Sequence, residues 1–253
     1  MRYVLKIAYD GTAYAGWQRQ KNALSVQEAL EDAVFQALGL TVKTTASGRT
    51  DAGVHAVGQV CHFDAECSVP PEKMPDCVNR FLPADIRATE GWFVSDDFDC
   101  NRHAKRKTYV YSLYESGREM PLKERYAVRL DEIPPYERLE HFAKKFEGEH
   151  DFKAFCASGS SVKTTVRTVY GVRVEESESF GARDVKIYVT GNGFLYNMVR
   201  TMVGELLDLA SGKRAEESLS KAFSTGARSL LGKTMPAKGL TLLSVEYNEK
   251  TGR

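Results

Sequence analysis

The stretch from Phe194 to about Ala210 is apolar on two sides at helical spacing, which constrains any fold this chain adopts. With Leu195 at zero and ~100° per residue, Met198, Met202, Leu206 and Leu209 cluster within roughly 60° of it, while Tyr196, Val203 and Leu207 fall near ~80 to 120°. Such a helix is covered from two directions and belongs between layers rather than on a surface. Arg200, at roughly 140°, adjoins the second apolar side. A guanidinium there is partly buried, which requires an anion and hydrogen-bond acceptors around it.

The chain begins with a different periodicity. Tyr3, Leu5, Ile7 and Tyr9 alternate with Arg2, Lys6 and Asp10, the pattern of a half-buried strand. Ser25 and Glu28 form a capping box, and Val26, Leu30, Ala33, Val34 and Leu38 share a helical face that Gly39 ends. Extended stretches are expected over about 42–46 and 57–64, and a second helix over 72–80. A similar order begins again at Lys107: an alternating strand through Tyr109, Tyr111 and Leu113, a helix around 136–146, strands around 165–174 and 185–190, then the two-sided helix. Strands and helices do not alternate strictly, so the pattern predicts α+β halves, residues 1–100 and 101–253, with antiparallel sheets and helices packed on one side.

Composition narrows the function classes. The 253 residues carry 35 Lys plus Arg against 34 Asp plus Glu, with 42% apolar and 27% charged side chains and no low-complexity tract. These proportions exclude a mostly disordered chain, a collagen and a coiled coil. Lys6 and Asp10 interrupt the opening segment, so neither a signal peptide nor a membrane span is expected there, and the location expected is cytoplasmic. Cys61, Cys67, Cys77, Cys100 and Cys156 form no CxxC pair, and His55, His62, His103, His141 and His150 have no metal-site spacing. No metal is expected. Charge is unevenly placed: Arg102, Lys105, Arg106 and Lys107 form a basic stripe directly after a segment holding Glu90, Asp96, Asp97 and Asp99. The stripe reads either as a polyanion contact or as a solvated approach to a strand.

The loop Ala46 to Ala56 (ASGRTDAGVHA) places Arg49 and Asp51 two apart among small residues that let a ligand approach closely. A tight turn in which Asp51 bonds its own backbone is the alternative. Gly191-Asn192-Gly193 invites a dinucleotide-binding reading, but Tyr196 stands where that motif needs Gly or Ala, and a helix start is expected instead.

The run GRTDAGVHA resembles the catalytic-loop motif of the TruA family of tRNA pseudouridine synthases. Four further blocks are similar to that family, in its order: YDGTAYAGWQRQ from Tyr9, RKTYVY at 106–111, GFLYNMVRTMVG at 193–204, and PAKGL at 236–240 with Val245 and Tyr247. The resemblance implies two similar RRM/ferredoxin-like halves with an active-site cleft between them. It implies isomerisation of uridine to pseudouridine at positions 38 to 40 of the tRNA anticodon arm, by a homodimer and without any cofactor. By carry-over, Asp51 is the nucleophile, attacking pyrimidine C6 or ribose C1′. An attacking carboxylate must be ionised, and Arg200 is the arginine that favours that form and orients it. Tyr109 matches the tyrosine that stacks on the target uracil, with Tyr111 the neighbour to be distinguished from it. Arg49 matches the arginine that displaces the base, and Arg102, Lys105, Arg106 and Lys107, with Lys213, Arg214 and Lys233, are candidate phosphate contacts. His55 reads as structural or phosphate-facing. Competing expectations are a non-catalytic RNA binder of two RRM-like halves and a nucleoside hydrolase using Asp51 and Asp10.

Overall fold

The computed structural model describes residues 1–157 and 162–248. In chain order these form β1 (Arg2–Tyr9), α1 (Val26–Leu38), β2 (Thr45–Ala46), β3 (His55–Asp64), α2 (Met74–Asn79), β4 (Ile86–Val94), β5 (Arg106–Glu115), β6 (Val128–Leu130), α3 (Tyr136–Ala143), β7 (Gly148–Asp151), β8 (Val166–Ser179), β9 (Ala182–Gly191), α4 (Met198–Ala210), α5 (Glu216–Thr225) and β10 (Leu240–Glu246), joined by loops and short 3-10 turns. The architecture is α+β. Two compact units divide it: Met1–Lys107 together with the segment from Thr241, and Thr108–Leu240. The sequence divides the chain near residue 100 and leaves its end in the second half. In the structure the last strand returns to the first unit, where β10 runs parallel to β3 with Thr241 opposite His55 and Leu242 opposite Ala56.

The first unit's sheet has the order β4-β1-β3-β10, with β2 on β3. Central β1 is antiparallel to both neighbours, Leu5 facing Cys61 on one side and Gly91 on the other. Tyr3, Leu5, Ile7 and Tyr9 are buried as the alternation predicts. Val4, on the opposite face, is equally buried. Phe98, Cys100 and Val60 pack with it, and Trp92, Val94, Val245 and Tyr247 close the cluster, so the second face of β1 is covered at Val4 while Arg2, Lys6 and Ala8 stay partly exposed. The acidic segment after β4 thus folds over the sheet. Arg2 anchors it, donating to Phe98 O at 2.6 Å while holding Asp64 by two bonds of 2.8 Å.

Helix α1 has the expected ends. Ser25 accepts from the Glu28 N–H at 3.2 Å, and Gly39, at φ 71°, donates to Phe35 O. Glu28's carboxylate pairs with Arg19 at 3.2 Å instead of closing the box. The strand expected over 42–46 shrinks to Thr45–Ala46 because buried Glu31 accepts both the Thr44 N–H (2.8 Å) and its hydroxyl (3.1 Å), taking that residue out of strand pairing.

The second unit's sheet runs β5-β9-β8-β7, with β6 parallel to β5. β8 and β9 form a hairpin turned by Phe180 (φ 53°) and Gly181 (φ 72°), two positive-φ residues whose twist matches the strands. Helix α4 packs against α3, and Val203 and Leu207 are buried along with Met198, Met202, Leu206 and Leu209. Its other side lies against the segment 232–235: a Cβ on Gly204 would meet Lys233 O at 1.9 Å. Wholly buried Glu205 accepts the Gly232 N–H at 2.6 Å, and desolvation pushes its pKa up. The helix starts at Met198 rather than Phe194, because Asn197 takes a left-handed conformation (φ 65°) that helical geometry cannot pass through. Tyr196 lies before the helix and is half exposed. Gly191-Asn192-Gly193 ends a hairpin instead of starting a helix: Asn192 donates its N–H to Thr168 O and accepts the Thr168 N–H, both at 3.0 Å.

Candidate active site

Asp51 sits on a loop whose backbone is clamped from two sides. The Trp17 N–H donates to Thr50 O at 3.1 Å, the Gly53 N–H to Tyr14 O at 3.3 Å and the Val54 N–H to Asp51 O at 3.1 Å. The opening motif thus serves the later loop as a cradle. Gly16 makes the fit possible: at φ +91°, it sits where a Cβ would lie 2.4 Å from Thr50 O and 3.0 Å from the Asp51 carbonyl carbon. Buried His55 accepts the Gly11 N–H at 3.0 Å and lies 3.2 Å from Asp10, fixing the 3-10 turn at Gly11–Ala13. Asp10 itself accepts the Thr12 N–H at 3.0 Å, so it occupies a turn-capping position. Beneath the loop, the Tyr9 hydroxyl bonds the Thr50 hydroxyl at 2.8 Å, and burial pushes the Tyr9 phenol up to about 12. Arg49 is exposed on the same loop, and Asp51 is partly buried.

In the second unit, Tyr109 and Arg200 meet one turn of chain. Tyr109 is buried edge-on against Phe194, ring centroids 5.3 Å apart, and Phe194 leads through Asn197 into α4. Arg200 donates from Nη1 to Asn197 Oδ1 and from Nε to Met235 O, each at 2.7 Å, which fixes the plane of the guanidinium. Tyr111, two residues on from Tyr109, is wholly buried. Its hydroxyl donates to Pro236 O at 2.7 Å, its ring packs on Gly239, and burial raises its pKa against the pull of nearby Arg200. Among the described residues no group of three or more His, Cys, Asp or Glu is placed to hold a metal ion, and no helix is long and apolar enough to cross a membrane.

A model of the tRNA pseudouridine synthase family matches residues 6–101 and 142–248 of the chain. The chain belongs to that family. It is 42% identical over 243 residues to tRNA pseudouridine synthase A of Syntrophotalea carbinolica, covering 96% of this chain and 95% of that one. To the protein of the same name from Shouchella clausii it is 40% identical over 249 residues, covering 98% and 94%. Among solved structures, an archaeal box H/ACA sRNP Nop10-Cbf5 complex overlaps 81% of this chain and 44% of that one, at 15% identity and a TM-score of 0.38, too loosely to support a comparison of folds.

For a tRNA pseudouridine synthase the basic stripe is the natural place to seek phosphate contacts, and the structure divides it. Arg102, Lys105 and Arg106 are exposed, Arg102 lying 3.3 Å from Asp99. Lys107 is not a surface cation: it is 8% exposed, with Nζ donating to Ser47 O and, at 3.1 Å, to Asn101 Oδ1. Period-2 alternation already carries the signal, since Lys107 shares a strand face with buried Tyr109 and Tyr111. Arg214 is partly exposed, bonded to Leu230 O at 2.9 Å and facing Asp208 and Glu205 at 3.4 and 3.7 Å. Lys213 and Lys233 are exposed. Lys107→Met should lower stability by about 1–3 kcal/mol in a denaturant titration, because the Ser47 carbonyl loses a buried donor. The same variant should leave the salt dependence of tRNA binding unchanged; a reduced salt slope would return Lys107 to the RNA surface.

Proposed function

We propose that this chain converts uridine to pseudouridine in the anticodon arm of tRNA, with Asp51 as the nucleophile. The bond between uracil N1 and ribose C1′ breaks, the base rotates, C5 takes the place of N1, the C5 hydrogen leaves as a proton, and N1 takes up a proton. Atoms balance without a second substrate. The observation that carries the reading is the family match across residues 6–101, which contains the Asp51 loop and both segments that clamp it. Asp51 attacks pyrimidine C6 or ribose C1′ and so splits one difficult displacement into two easier steps. Arg200, its guanidinium oriented by Asn197 and Met235, keeps the attacking carboxylate ionised and aimed. Tyr109 stacks on the uracil. Arg49, exposed beside Asp51, holds the displaced nucleotide, whose unstacking costs a few kcal/mol and least in a loop. The enzyme works as a cytoplasmic homodimer.

The deciding assay uses a tRNA transcript tritiated at uridine C5. Isomerisation releases tritium and keeps the base on the chain. Release of free uracil would mean a hydrolase, and binding without either product would mean a non-catalytic RNA module. Affinity should also fall steeply with salt, because a chain of formal net charge +1 grips tRNA through clustered cations. Neutralising Arg102, Lys105 or Arg106 singly should each lower the slope of log Kd against log salt by about one. A slope unchanged in all three variants would remove the stripe from the interface.

A further inference from the structure

Gln59 lies on β3, wholly buried, eight residues beyond Asp51 in the chain and directly under its loop. Every part of its amide is engaged. Oε1 accepts the Ser47 hydroxyl at 2.7 Å and the Val60 N–H at 3.1 Å; Nε2 donates to Gly48 O at 2.9 Å and reaches Tyr9 Oη at 3.5 Å. Tyr9 in turn bonds the Thr50 hydroxyl at 2.8 Å. One side chain therefore grips three of the four residues that precede Asp51: Ser47 and Gly48 directly, Thr50 through Tyr9.

We propose that Gln59 is a positioning residue for Asp51, setting the path of residues 47–50 so that the carboxylate is presented at one fixed place. The proposal rests on the reading of Asp51 as the nucleophile. Removing the amide strands the Gly48 carbonyl and the buried Ser47 hydroxyl, so Gln59→Met also costs stability and its rate must be read on folded protein. What a fully satisfied polar network supplies is a single geometry. That is what a nucleophile needs, because a displacement of about 1 Å can cost roughly 10²-fold in rate. Gln59 does not touch the substrate; it acts through the loop.

The test compares Gln59→Met and Thr50→Val with the parent chain on full-length tRNA, at a temperature where circular dichroism shows each variant folded. Gln59→Met should lower kcat by about 10- to 100-fold while KM and the tRNA Kd stay within about twofold. Thr50→Val removes only one hydroxyl without changing side-chain shape; it should lower kcat about 3- to 30-fold, and it carries the test if Gln59→Met does not fold. A kcat within twofold of the parent for the folded variants overturns the proposal, as does a loss confined to KM, which would place the network in RNA docking. Asp51→Asn separates the two levels. If that variant keeps its turnover, the nucleophile assignment fails and this proposal with it; if it is inactive while Gln59→Met and Thr50→Val run at the parent rate, only the positioning role fails.

Discussion

Asp51→Asn should release no measurable tritium from C5-labelled tRNA, a loss of roughly 10⁴-fold or more, while binding tRNA within about tenfold of the parent. The substitution keeps shape and polarity but removes the charge and nucleophilicity of the carboxylate. The loop should survive it. Its path is held by backbone bonds from Trp17 to Thr50 and from Val54 to Asp51, and by the side chain of Gln59, none of which requires a carboxylate at position 51. An unchanged circular dichroism spectrum and melting temperature, alongside the lost turnover, would place the defect in chemistry. Persistent turnover would reject Asp51 as the nucleophile and leave the family reaction in need of another.

Gly16→Ala should damage both stability and rate. A residue with a Cβ at φ +91° is strained by about 1–3 kcal/mol on backbone grounds alone. The added carbon would also lie 2.4 Å from Thr50 O, and both partners in that clash are backbone, so no side chain can swing away. We expect about 2–4 kcal/mol of destabilisation, which for a chain of this size lowers Tm by roughly 5–15 °C. Relief requires the Thr50–Asp51 peptide to move, so kcat should fall further than the loss of folded protein explains. Measuring active fraction and kcat on the same sample checks it. A variant with normal Tm and normal kcat would show that the opening motif does not cradle the Asp51 loop.

Much of this arrangement is legible before any coordinates. The alternation in β1, the caps at Ser25 and Gly39, the two apolar sides of α4 and the loop carrying Asp51 all declare themselves in short windows of sequence. Elsewhere the local signal misleads. Lys107 belongs by composition to a run of cations and by strand period to a buried face, and the period wins because Ser47, 60 residues away, offers it a carbonyl. Tyr196 continues the helical pattern of α4 on paper, yet Asn197 at positive φ puts it outside the helix. Gln59 shares a strand face with Cys61 and Phe63, so the period places it inside, but nothing local says which loop its amide holds.

The sequence alone determined β1, β3, β5, β8 and β9 and the helices α1 to α3 with the body of α4, where α1 begins and ends, and which acid sits on a loop of small residues, because periodicity, caps and turn chemistry act over a few residues. Strands β4, β6 and β7 and helix α5 are not among its expectations. Tertiary structure decided the rest: that Val4 of β1 is buried on the second face, that β10 joins β3, that Lys107 is buried with Nζ on Ser47 O while Arg214 bonds Leu230 O, and that Gln59 and Gly16 lie against the Asp51 loop. Those outcomes depend on backbone carbonyls and apolar faces brought close from distant parts of the chain, and no local window contains both partners.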